Sequence, residues 1–268
     1  MVEPVKIFLR TYVYWVGLIF GFAIAPGSLL FTIGVAPGGT PLLLAPVAGL
    51  LLLVLDPPST WDPPLWRTLL IRVCGAGFAT IALIGFYATT SYYGSRHWSE
   101  TLVSLGLGWI AFTVVAGYAL KAHTTRFKPF EGRNRDAIRA FTLWIGIFLG
   151  VFYIPTTGLA AAGTIFMVFP LFGTFLTGLV LLIVDPPRRW TQPCAVALWI
   201  RVFSSGAAAL LLSTEGTVYR DTYTNELFIG DWQENLIFCM GTWGLYVVLA
   251  AVVVGGTYFM RDPNHTSI

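Results

Sequence analysis

Two carboxylates and two guanidiniums stand where a chain this apolar least accommodates charge. Asp56 and Arg72, and again Asp185 and Arg201, lie at the edges of long apolar runs. A charge at bilayer depth costs a few kcal/mol or more, so it must reach the headgroups or meet an opposite charge. Such a set can form an ion pair that ties two helices, or an arginine site for an anion such as a lipid phosphate. The ion pair is the preferred reading: Asp56 with Arg72, and Asp185 with Arg201. A second set of acids, Glu100 and Glu234, follows Trp98 and Trp232 by two positions. At the first turn of an apolar helix, a carboxylate meets free N–H groups and the positive end of the dipole. The sharper alternative for Glu100 and Glu234 is an outer vestibule that attracts cations.

Other chemistry is missing from the sequence. The three histidines, His97, His123 and His265, fall in loops or tails, and no apolar run holds a lysine. An intramembrane bis-histidine haem and a retinal Schiff base are thereby excluded. No H-E-x-x-H, G-x-S-x-G, P-loop or dinucleotide fingerprint occurs. No Asp or Glu lies near the middle of an apolar run, where ion-coupled transport usually needs one. Cys74, Cys194 and Cys239 stand singly in or beside apolar runs and read as buried packing residues. These residues imply no catalytic set, no metal and no cofactor.

The elements that must position the charges are membrane helices. The chain is 56% hydrophobic and 11% charged, where a soluble domain carries about 25% charge. Its formal net charge of +3 is no sign of nucleic-acid binding, because the basic residues flank apolar runs. Those runs, residues 11–33, 40–55, 66–89, 101–120, 139–162, 164–184, 193–214 and 235–258, predict eight transmembrane helices. They are continuously apolar rather than alternating, which argues against a β-barrel. Of the 16 Lys and Arg, all but Arg96 and Arg220 fall on one side of such a layout. The positive-inside rule therefore predicts cytoplasmic N- and C-termini.

The same sequence occurs twice. At a separation of 129 positions, Arg10, Trp15, Gly17, Gly21 and Pro26 meet Arg139, Trp144, Gly146, Gly150 and Pro155. Asp56-Pro57-Pro58, Trp61, Pro64 and Arg72 meet Asp185-Pro186-Pro187, Trp190, Pro193 and Arg201. Beyond a five-residue insertion, the separation is 134, and Trp98, Glu100 and Trp109 meet Trp232, Glu234 and Trp243. With four spans in each half, the halves share one orientation and form a parallel tandem repeat of two four-helix units, unlike inverted-repeat transporters. The expected division is a first repeat over 1–120, a basic cytoplasmic linker over 121–138 and a second repeat over 139–268.

The shared positions read mainly as architecture. The paired prolines stop the second and sixth helices. Trp61, Trp98, Trp190 and Trp232 read as interface anchors. Gly17 and Gly21, like Gly146 and Gly150, have the spacing that lets helix backbones approach. Pro26 and Pro155 should kink the same helices. The basic stretch from Lys121 to Arg139 serves topology and can contact anionic lipid. The polar loop from Ser213 to Glu234, where the halves differ, is a candidate for a specialised role.

Each half resembles the small, light-chain membrane subunit of the phagocyte NADPH oxidase. The resemblance rests on two spans, an acidic-Pro turn and an arginine early in the third span. The residues are Asp56, Pro58 and Arg72, then Asp185, Pro187 and Arg201. It implies a unit that stabilises a partner without chemistry of its own. The expectation is a non-enzymatic polytopic protein, an accessory subunit packed in the bilayer against another membrane protein. The alternative is a channel or transporter for a small or lipidic solute along the axis between the halves.

Overall fold

A computed structural model describes residues 3–25, 44–58, 61, 64–90, 94–121, 132–161, 174–187, 190, 194–214, 218–220, 227–229 and 232–261. The first half holds α1 (Glu3–Ile19), which runs on into a π-helical segment (Phe20–Ile24), then α2 (Ala45–Leu55), α3 (Leu65–Thr90) and α4 (Gly94–Lys121). The second holds α5 (Arg133–Ile145), a π-helical segment (Gly146–Tyr153), α6 (Ile154–Ala161), α7 (Thr177–Val184), α8 (Cys194–Thr214) and α9 (Trp232–Arg261). A two-stranded antiparallel hairpin, β1 (Val218–Arg220) with β2 (Leu227–Ile229), sits in the polar loop before α9. Apart from short turns such as those at Asp56–Pro57 and Asp185–Pro186, the other described residues are helical.

Among the described residues, six helices are long and apolar enough to cross a membrane: Glu3–Ile24, Leu65–Phe86, Leu102–Lys121, Arg133–Thr156, Ala195–Ser213 and Asn235–Gly256. The expected second and sixth spans do not reach that length in the described residues. They appear as the 11-residue α2 and the 8-residue α7, both closed by Asp-Pro-Pro. Residues 40–43 of the expected second run and 164–173 of the expected sixth lie outside the described residues. Residues 133–138 of the expected basic linker belong to α5, which begins at Arg133, and residues 122–131 lie outside the described residues.

In each half the helices close a ring in the same order. In the first, α1 packs on α3, α3 on α4, α4 on α2 and α2 back on α1. In the second, α5 packs on α8, α8 on α9, α9 on α7 and α7 back on α5 and its π segment. The halves meet where α1 lies against α5 and the π segment that follows it. That seam is the centre of the core. Thr11 through Ile19 are all buried, and so are Thr142 through Gly150.

Glycine permits the crossing, and it does so reciprocally. A Cβ on Gly17 would land on the carbonyl oxygen of Thr142, and one on Gly146 on that of Val13. Val13 and Thr142 are themselves 129 positions apart. One step along, Gly21 faces Ile145 and Phe141, while Gly150 faces Val16 and Tyr12. Only residues without side chains let two backbones come this close.

Pro155 lies inside a continuing helix, so the expected kink takes the form of a widened turn. Its ring removes an N–H from the ladder, and the π-helical stretch Gly146–Tyr153 immediately precedes it. Such bulges are a recognised way to absorb an interrupted ladder. The first half has its π segment at Phe20–Ile24, and Pro26 lies outside the described residues.

Candidate functional site: paired arginine–aspartate clusters

The four charges singled out in sequence come together in two clusters, each joined by an arginine from the seam. Asp56 is the C-cap of α2, its N–H donating to the Leu52 carbonyl at 2.9 Å. Pro57 and Pro58 end the helix there and turn the chain, so that Trp61 folds back. The Trp61 indole N–H donates to the Asp56 carbonyl oxygen at 3.0 Å. Arg72, on α3, donates from Nη1 to Asp56 Oδ2, and Arg10, on α1, lies with Nη2 3.7 Å from Oδ1. The Arg72 guanidinium carbon is 4.7 Å from the centre of a Trp61 ring.

The second cluster repeats this arrangement. Asp185 caps α7, its N–H donating to Leu181 at 2.8 Å. Trp190 donates to the Asp185 carbonyl at 3.2 Å. Arg201 Nε donates to Asp185 Oδ2 at 2.7 Å, and Arg139 Nη2 is 3.2 Å from Oδ1. The Arg201 guanidinium carbon lies 4.4 Å from the Trp190 ring centre.

These charges are deeply enclosed. Asp56 and Asp185 are each 3% exposed, Arg72 4% and Arg201 3%. A carboxylate at a helix C-terminus faces the negative end of the dipole, so two arginines around each Asp offset an unfavourable position. Desolvating an ion costs several kcal/mol, recovered only by close pairing and further hydrogen bonds. Stacking on an indole adds an attraction of about 0.5–2 kcal/mol per guanidinium.

Trp61 and Trp190, expected from sequence as interface anchors, also pack within the protein. Both rings are buried, because each covers a guanidinium and satisfies its helix-ending carbonyl. Trp98 and Trp232 belong to α4 and to the start of α9, and their side chains lie outside the described residues. Glu234 falls in the first turn of α9, as expected. Glu100 does not open its helix: α4 begins at Gly94, placing Glu100 beyond the turn where free N–H groups stand. The side chains of both glutamates lie outside the described residues. Of the cysteines, Cys239 is buried but Cys74 is exposed on α3, and the side chain of Cys194 lies outside the described residues. Of the basic stretch, Arg133 is exposed at the start of α5, whereas Arg139 is drawn into the Asp185 cluster.

Sequence reasoning missed three participants. Arg10 and Arg139 each supply the second guanidinium, and their recurrence 129 positions apart was the available signal. Asp136 was not signalled at all, since Ile7 occupies the corresponding place in the first half. Its Oδ2 lies 3.6 Å from Arg201 Nη1. Tyr14, buried in the seam, links the clusters: Arg10 sits 5.7 Å from its ring centre, and its hydroxyl is within electrostatic reach of Arg10, Arg139, Asp56 and Asp185.

The arrangement can hold helix ends together and can present guanidinium donors to an anion; it offers no nucleophile and base pair. Among the described residues, no group of three or more His, Cys, Asp or Glu could hold a metal ion. The chain matches no protein family, no characterised protein and no solved structure.

Proposed function

We propose that this is a non-enzymatic integral membrane protein, a structural or accessory subunit that packs against another membrane protein. In this reading it is a tandem duplication of a four-span unit. It has eight spans, two of them short, and both termini are cytoplasmic. The Asp–Arg clusters pin the helix ends at the cytoplasmic face. The observation that carries the reading is the filled seam. Where a solute path would run between the halves, Gly17 and Gly146 bring backbones into contact, and Trp15 and Trp144 are completely buried on either side. A path along that axis would require the most tightly packed part of the molecule to open, which argues against the transport alternative. Broad apolar faces point outward from α3, α4, α8 and α9, with Ile81, Val114, Phe203 and Ile237 all strongly exposed. Lipid and an apolar partner suit such faces equally.

The test is purification from native membranes in mild detergent, followed by native mass spectrometry. A complex of fixed stoichiometry with another membrane protein is expected. A lone monomer, or a homo-oligomer that carries solute flux when reconstituted, would sink the accessory-subunit reading.

A further inference from the structure

We propose that the Arg10–Asp56–Arg72 cluster, with Arg139 beside it, binds a phosphate-type anion, either a lipid headgroup phosphate or a free phosphate. The argument starts from a charge difference. Among the described residues, the second cluster is balanced: Arg139 and Arg201 (+2) face Asp185 and Asp136 (−2). The first is not: Arg10 and Arg72 (+2) face Asp56 (−1), an excess of one positive charge. Among the described residues, the difference traces to one position. Asp136 corresponds to Ile7, and among the described residues Arg72 meets the Thr11 hydroxyl instead, 3.5 Å from Nη1.

Arg10 carries that excess charge at the partly exposed edge of the cluster, where an anion from outside can reach it and gain charge-assisted contacts. The donors to receive it are present. The Nε–H groups of Arg10, Arg72 and Arg139 are buried without a hydrogen-bond partner. The guanidinium fork suits two oxygens of a phosphate at once. Access comes through Arg10, whose side chain is 40% exposed while that of Arg72 is 5% exposed. Arg139 approaches from across the seam, within electrostatic reach of Asp56 as well as of its own Asp185. The ligand therefore replaces in the first half what Asp136 supplies in the second.

The experiment uses the full chain in a neutral detergent. Its thermal midpoint is followed while dioctanoyl phosphatidylglycerol, dioctanoyl phosphatidylcholine or inorganic phosphate is added at constant ionic strength. A saturable rise with phosphatidylglycerol that exceeds the phosphatidylcholine response, without a phosphate response, assigns a lipid headgroup. A saturable rise with inorganic phosphate assigns a free anion. Arg10→Gln is expected to weaken the response about tenfold or more, the loss of one charge-assisted contact. Ile7→Asp supplies the missing carboxylate internally and is expected to abolish the response even if Arg10→Gln fails to fold. No saturable rise with phosphatidylglycerol or phosphate, or wild-type affinity in a folded Ile7→Asp variant, overturns the proposal.

Discussion

The two halves of the chain solve one packing problem with different polar details. Each ends its short helix at Asp-Pro-Pro, surrounds that Asp with two arginines and lays an indole over the inner one. Each fastens its last two helices alike. Trp109 donates to the Val73 carbonyl at 2.9 Å over Gly77, and Trp243 to the Val202 carbonyl at 3.0 Å over Gly206. Away from these points the halves diverge. In the first, buried Trp15 donates to Thr80 Oγ1 at 2.9 Å. In the second, Ala209 stands at the corresponding place, and the Trp144 indole N–H is buried with no partner. Tyr12 reaches across the seam to the Gly150 carbonyl at 2.8 Å, whereas its counterpart, Phe141, has no hydroxyl. The shared contacts sit where backbone geometry leaves no choice. The divergent ones sit where a side chain can be exchanged at a modest cost.

The largest effect should come from the inner arginines, and it should be unequal. Removing one partner of a buried pair costs about 3–5 kcal/mol. Arg72→Ala leaves Asp56 with Arg10, whereas Arg201→Ala leaves Asp185 and Asp136 facing each other with only Arg139. Thermal or denaturant unfolding in detergent should therefore show Arg201→Ala as the more damaging change. Equal losses would remove Asp136 from the account.

Substitution at the seam should be symmetric. Gly17→Ala and Gly146→Ala each place a methyl against a backbone carbonyl that cannot rotate away. Each should lower stability by about 1–3 kcal/mol or more, and by similar amounts. A mild effect at one and a severe effect at the other would show that the crossing is not reciprocal in solution.

The indole difference gives a gain as well as a loss. Thr80→Ala should cost about 1–3 kcal/mol, because it strands the buried Trp15 N–H. Ala209→Thr should raise stability by offering Trp144 the acceptor that Trp15 enjoys. Destabilisation by Ala209→Thr would mean that the two indoles occupy differently shaped sites.

The smallest effect belongs to the seam hydroxyl. Tyr12→Phe should cost about 1 kcal/mol, the net worth of one hydrogen bond, with no change in secondary structure by circular dichroism. A cost near zero would mean that water replaces the Tyr12 contact with the Gly150 carbonyl.

Much of this was legible in the sequence because it is local or repeated. Helix identity follows from continuous apolar runs, and the stops at Asp56 and Asp185 follow from paired prolines. The partnership of Asp56 with Arg72 could be anticipated because two charges near one helical hairpin have few other ways to be neutral. Glu100 was misplaced because helix α4 starts before its apolar run does, and hydropathy does not detect a polar first turn. The stacking of Trp61 and Trp190 on arginines was not legible, because an amphipathic ring suits an interface and a buried cation equally and local sequence does not distinguish the two.

The sequence by itself determined the apolar helices, their stops and the recurrence of rare residues 129 positions apart. Each depends on the chemistry of one residue or a short run. Only the tertiary structure decided that Arg10 and Arg139 join the aspartates, that Asp136 balances one cluster alone, and that glycines from the two halves touch reciprocally. Those facts depend on which helix faces cross, set by packing among residues far apart in the chain. Charge balance, unlike hydropathy, has no meaning until the groups that share a site are known.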